Sequence, residues 1–196
     1  MRVVMRYITI CIFLFFAWPY FLYKKYGNTA YKLEKRTIIV ANHYSTFDPF
    51  FIYLIYRKQK IHFVTIIETK KKLFTRYITW IFDCLFIDYK EMNIGFFKKT
   101  INILKNDGIV CIFPEGVVNN RKFGFFDFEK SFIYFALKAK AQILPLYIYP
   151  EISFFKKSIV YIGNIIPYKK IEEINDLENA ATYVQSKIME YSLEFE

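Results

Sequence analysis

Two short stretches of the chain carry side chains suited to acid–base chemistry: ANHYSTFDPF at residues 41–50 and CIFPEGVVNN at residues 111–120. The first contains Asn42, His43, Ser45 and Asp48, and the second Phe113, Pro114, Glu115 and Gly116. An imidazole beside a carboxylate makes a base that works near neutral pH, because the carboxylate orients the ring and stabilises it once protonated. His43 and Asp48 are five residues apart. On one continuous helix that spacing would put them about 140° apart around the axis, so they meet only if the chain turns between them. Two features favour such a turn. Asp48 precedes Pro49, which disfavours helical backbone at Asp48 and suits a helix starting at Pro49. Ser45 and Thr46 supply turn-forming hydroxyls. Two plainer readings stand beside this one: Asp48 as only the N-cap of the following helix, and His43 as a loop histidine bonded to backbone. His62, inside the apolar run IHFVTII, reads as a core or sheet-face residue.

The elements that must position these residues alternate in type. Thr37–Ala41, Ile61–Ile67, Leu85–Asp88, Ile109–Phe113, Ile143–Tyr149 and Ile159–Ile162 read as strands. Pro49–Tyr56, Leu73–Phe82, Ile94–Lys105, Phe128–Ala139 and Leu177–Tyr191 read as helices, with Gly108 placed as a C-cap. Strands alternating with helices predict an α/β fold with a mostly parallel central sheet flanked by helices. In such folds chemistry gathers where strands end, and both candidate stretches follow strands.

Composition narrows the classes. The 196 residues suffice for one domain with a core and are too few for two ordinary ones. A 55% hydrophobic share with 23 Phe and 17 Tyr excludes a disordered chain. The net charge of +10 points to nucleic acid or to an anionic membrane surface. Cys11, Cys84 and Cys111 are far apart and lie in apolar runs, so neither a disulfide framework nor structural zinc is expected.

Tyr7–Tyr23 is uncharged, preceded by Arg2 and Arg6 and followed by Lys24 and Lys25. As a helix it would cover about 25 Å, short of the roughly 30 Å hydrocarbon core. Residues 1–27 therefore read as a membrane-associating helix, either a short span with snorkelling ends or a helix lying in one leaflet. A cleaved signal peptide is disfavoured, since no small-residue cleavage site follows. Residues 28–196 form the remaining domain.

NHYSTFD followed by FPEG resembles the glycerolipid acyltransferase family, known by an NHxSxxD block, a GxxFIxR block, an FPEGTR block and a later V-P-[VIL] block. Here the first matches at Asn42, His43, Ser45 and Asp48, the third at Phe113–Gly116, and the fourth is similar to Ile143-Leu144-Pro145-Leu146. The resemblance covers roughly residues 28 to 165. It implies transfer of a fatty acyl chain from a thioester of coenzyme A or acyl carrier protein to a lysolipid hydroxyl, most closely 1-acylglycerol-3-phosphate, at the cytoplasmic face of the membrane. His43 would act as general base and Asp48 would orient it. Glu115 would position the acceptor's hydroxyls. N–H groups of the Glu115–Gly116 turn or of the Pro49 helix would face the oxyanion. Ser45 is a turn hydroxyl on this reading, and neither a bound cofactor nor a metal is implied.

The chain departs from the family at two basic positions. The middle block falls on Asp83–Tyr89, with Asp83 for its glycine and Tyr89 for its arginine, and Val117-Val118 replaces Thr-Arg. Lys90 and Arg121 lie one and three residues away and would supply charge from shifted positions, unless they are ordinary surface residues. A lysolipid without a phosphate headgroup is therefore an open alternative, as is a weakly active lipid-binding relative. Lys24-Lys25, Lys70–Lys72 with Arg76, Lys98-Lys99 and Lys156-Lys157 form basic clusters among aromatics, suited to an anionic bilayer or to solvated faces. A membrane-tethered nucleic-acid binder would leave NHYSTFD and FPEG unexplained.

Overall fold

The run TIIVA forms a strand with all five residues buried, as a β-branched run without alternation requires. A computed structural model of the chain describes residues 22–71, 73–88, 94–119, 124–149, 151 and 155–195, with Val4, Met5, Ile8, Thr9 and Ile12, and sets this run near the middle of a seven-stranded sheet. In chain order the elements are β1 (Leu22–Gly27), β2 (Thr37–Ala41), α1 (Asp48–Ile55), β3 (Ile61–Ile66), a 3-10 turn (Ile67–Lys71), α2 (Leu73–Ile81), β4 (Leu85–Ile87), α3 (Ile94–Lys105), β5 (Ile109–Ile112), α4 (Ser131–Ala139), β6 (Gln142–Tyr149), β7 (Lys157–Ile162), α5 (Tyr168–Ile174) and α6 (Leu177–Ser192).

The spatial order is β1-β7-β6-β2-β5-β3-β4. Strands β2 to β6 pair in parallel, β7 is antiparallel to β6, and β1 is parallel to β7. Alternate residues of β2 feed opposite layers. Ile38 and Val40 pack with Phe132, Ile133 and Phe135 of α4 and Ile188 of α6, while Ile39 and Ala41 pack with Phe51 and Ile52 of α1. The parallel α/β sandwich expected from the alternation is what forms.

Several boundaries differ from expectation. Leu22–Gly27 is an edge strand rather than the tail of a helix ending at residue 27: it lies along β7 from Leu22↔Lys157 to Gly27↔Ile162, with Lys24 and Lys25 exposed. Most of residues 1–21 lies outside the described residues, so the membrane-associating helix does too, apart from helical backbone at Val4, Met5, Ile8, Thr9 and Ile12. Among the described residues no helix is long and apolar enough to cross a membrane. Helix α4 starts at Ser131, not Phe128, and the Phe128 and Glu129 N–H groups donate to Gln185 Oε1 and Pro114 O. Helix α5 was not foreseen, since only Ile171 of its seven residues is buried.

At the end of α3 the left-handed residue is Asp107, with φ 62°, and Gly108 is one position beyond it. Asp107 N–H donates to Leu104 O at 3.0 Å and Gly108 N–H to Ile103 O at 2.8 Å, the paired bonds of a Schellman ending. A Cβ on Gly108 would stand 2.7 Å from the Ile103 carbonyl oxygen. Gly108→Ala should therefore lower stability by about 1–3 kcal/mol, the usual result of forcing a methyl group into a filled site. Urea unfolding should show the shift as a lower midpoint at unchanged slope.

Candidate active site

Strands β2 and β5 run side by side in parallel, with Val40 opposite Ile112, so the segments that follow them leave the same end of the sheet. The first residue past β2 is Asn42, which is fully buried. Its Nδ2 donates to Ile148 O, and Ile148 N–H donates to its Oδ1, both at 2.7 Å. A side-chain amide thus adds one more rung to the β2–β6 ladder and fixes where the next residue, His43, begins.

The chain then turns as the spacing required. His43 Nδ1 lies 2.9 Å from Asp48 Oδ2. The same oxygen accepts the Ser45 N–H at 2.8 Å, Asp48 N–H donates back to Ser45 O at 3.0 Å, and Phe47 N–H donates to Ser45 Oγ at 3.2 Å. Phe47 holds the N-cap position of α1, and Asp48 is the first helical residue with its carboxylate folded back. The N-cap alternative for Asp48 does not apply. Ser45 is a turn hydroxyl, as expected.

The two side chains differ in exposure: Asp48 is 0% exposed and His43 17%. Burial is the largest influence on Asp48 and pushes its carboxyl above the ordinary carboxylate range. The hydrogen bond and charge of His43, then the Ser45 and Tyr44 amides, pull it back down. Asp48 Oδ1 has no hydrogen-bond partner among the described residues. With Nδ1–H donated to Asp48, Nε2 is the lone-pair nitrogen left for a substrate proton. Phe113 stacks on the imidazole, centroids 4.4 Å apart and planes at 26°, which limits how the ring can swing.

Phe113–Gly116 forms a β-turn closed by Gly116 N–H to Phe113 O at 3.1 Å, with Gly116 at φ 71°. This turn aims the Glu115 carboxylate into the protein, where it is 6% exposed. Oε1 accepts the His43 backbone N–H at 2.8 Å, and Oε2 accepts Asn119 Nδ2 at 2.8 Å and Phe126 N–H at 3.0 Å. Asn119 N–H donates in turn to His43 O at 2.6 Å. Glu115, the residue expected to hold an acceptor's hydroxyls, thus braces the two loops. Of the expected oxyanion donors, the N–H groups of Gly116, Asp48 and Phe50 donate to Phe113, Ser45 and Phe47 carbonyls.

Lys90 and Arg121 lie outside the described residues. Asn119 was not foreseen, and no local pattern marks it, because its partners, His43 and Glu115, come from two different loops. His62 sits in β3 at 9% exposure with Nδ1 3.3 Å from Asp83 O, a sheet-face residue as read. Among the described residues no three His, Cys, Asp or Glu side chains converge as a metal site would require. A cleft of about 860 Å³ lined by Lys35, Lys60, His62, Asn106 and Asp107 opens at the other end of the sheet, away from His43.

Comparison with known proteins gives this geometry a context. A family model described as Acyltransferase matches residues 23–149, a stretch holding both loops and strands β2 to β6. A probable 1-acyl-sn-glycerol-3-phosphate acyltransferase of Mycoplasma pneumoniae is 29% identical over 126 residues, covering 58% of this chain and 44% of that protein. The 1-acyl-sn-glycerol-3-phosphate acyltransferase of Borreliella burgdorferi is 25% identical over 169 residues, covering 83% of this chain and 65% of that protein. The chain therefore spans less than two thirds of the length of either curated relative. The crystal structure of the 1-acyl-sn-glycerophosphate acyltransferase of Thermotoga maritima aligns with a TM-score of 0.70 at 19% identity, over 92% of this chain and 76% of that one, a likeness of fold. Since the matched stretch spans well over half the chain and contains the His43–Asp48 and Glu115 loops, the chain belongs to the acyltransferase family.

Proposed function

We propose that the protein transfers a fatty acyl chain from an acyl thioester, on coenzyme A or acyl carrier protein, to a lysolipid hydroxyl at the cytoplasmic face of a membrane. The curated relatives' names favour 1-acylglycerol-3-phosphate as acceptor and phospholipid synthesis as the setting. The observation that carries the reading is the 2.9 Å contact between a partly accessible His43 and a fully buried Asp48.

The chemistry follows from that contact. A thioester is already activated, so the enzyme needs chiefly a stronger nucleophile. His43 Nε2 takes the proton of the acceptor hydroxyl as its oxygen bonds to the thioester carbon. Asp48 holds the ring by Nδ1 and stabilises the imidazolium. The tetrahedral intermediate then expels the thiolate, which leaves as a thiol after taking that proton back. No covalent acyl-enzyme is involved, consistent with a Ser45 hydroxyl occupied by Phe47 N–H. Val118 and Tyr89 stand where the family carries arginines, which favours a second reading of the acceptor: a lysolipid with a headgroup other than phosphate.

The test is transfer from a labelled thioester to a panel of lysolipids with and without a phosphate headgroup. His43→Ala should lose about 10²- to 10⁴-fold in rate; equal transfer by both forms would refute the assignment. The wild-type rate should fall on acidification as the imidazole takes up a proton, and a flat profile with chemistry rate-limiting would exclude His43 as base.

Asp48→Asn separates activity from stability. Because burial raises this carboxyl in the folded chain above its unfolded value, its ionised form costs stability at neutral pH, and the cost shrinks as pH falls towards the raised value. Asp48→Asn should thus lose transfer without lowering the melting temperature at neutral pH, checked by calorimetry.

For Glu115→Ala the brace predicts a fall in kcat of about 10²-fold, the usual effect of misplacing a reacting group by about 1 Å, with KM for the acceptor little changed. A rise in acceptor KM at constant kcat would instead assign Glu115 to acceptor binding.

A further inference from the structure

Helix α2 presents large side chains to solvent in one stripe: Leu73 is 74% exposed, and Tyr77 and Trp80 36% each. At 3.6 residues per turn these three and the exposed Arg76 fall within an arc of about 100°. Thr79 and Ile81 are buried. The Tyr77 and Trp80 rings lie 6.3 Å apart at an interplanar angle of 27°, so they form a single aromatic plate. Leu, Tyr and Trp beside Arg, with exposed Lys71 just before the helix in the run Lys70–Lys72, is the composition of an element lying at a lipid headgroup boundary.

Two further observations fix what covers this stripe. Thr9 Oγ1 lies 2.9 Å from Tyr77 OH, which brings the N-terminal segment against α2. Val4, Ile8 and Ile12 of that segment, spaced at successive helical turns, are themselves exposed. Two apolar faces thus adjoin each other, flanked by basic residues, on a chain carrying a net charge of +10. That charge favours an anionic lipid surface over a second copy of the same cationic chain. The topology places the surface usefully. Strands β2 and β3 both run parallel to β5, so α2, which follows β3, begins at the end of the sheet where His43 lies.

We propose that the Leu73–Arg76–Tyr77–Trp80 face of α2 seats the domain on an anionic bilayer, alongside the N-terminal segment, with the His43 end turned towards the lipid. This rests on the reading of the acceptor as a bilayer lipid. Its test involves no acyl transfer, so the two can fail separately.

The chain has two tryptophans, Trp18 and Trp80, so Trp18→Phe leaves Trp80 as the only indole. The full chain carrying that change would be mixed with vesicles of phosphatidylcholine, or of equimolar phosphatidylcholine and phosphatidylglycerol, each with and without bromine on the acyl chains. On the anionic vesicles Trp80 emission should shift to the blue and be quenched by the brominated lipid. Adding Lys71→Ala and Arg76→Ala should move the balance between seated and lifted α2 about fivefold per charge towards lifted, returning the emission towards that on phosphatidylcholine alone. Leu73→Ser should weaken the quenching as well. If Trp80 emission is unchanged by brominated lipid while the protein sediments with the vesicles, the N-terminal segment alone docks and the proposal is overturned. A blue shift without vesicles, accompanied by a doubled mass in light scattering, would assign the face to a second copy and overturn it equally.

Discussion

Two buried carboxylates hold the end of β2 in a single arrangement. Asp48 grips the imidazole of His43 from the side of α1, and Glu115 grips the same residue's backbone N–H from the side of β5. Neither carboxylate is well solvated, so each is stable only while its partners stay in place, and each loop is ordered by the other. Asn119 closes the circuit by bonding both Glu115 and His43 O. The site is therefore a small polar network inserted at the carboxyl ends of two central strands.

The parallel sheet makes that insertion possible. β2 is flanked by β5 and β6, and both neighbours continue past it to supply partners: Phe113 and Glu115 on one side, the Ile148 backbone on the other. A strand at an edge would have had one side only. Burial of apolar surface on both faces of β2 gives the rigidity that holds the His43 ring in one pose, where a loosely held ring would wander.

Central strands were legible because strands buried on both faces read as unbroken apolar runs, and TIIVA and IVCIF do. The His43–Asp48 pairing was legible because Pro49 marks where a helix starts and hence where the chain must turn. LYKKYG was not: an edge strand with four exposed residues carries no buried pattern, and it continues directly from the apolar run before it. The brace formed by Glu115 was not foreseen because its partners come from three separate segments, His43, Asn119 and Phe126, and backbone donors leave no trace in side-chain identity.

The edge strand β1 has a mechanical consequence. Its hydrogen bonds to β7 continue to Asn28, whose N–H donates to Ile162 O at 2.7 Å. Three strand spacings, roughly 14 Å in all, separate β1 from β2. Whatever grips β1 therefore sets the distance and tilt of the imidazole as a rigid offset, like a tool clamped to its handle rather than hung on a cord.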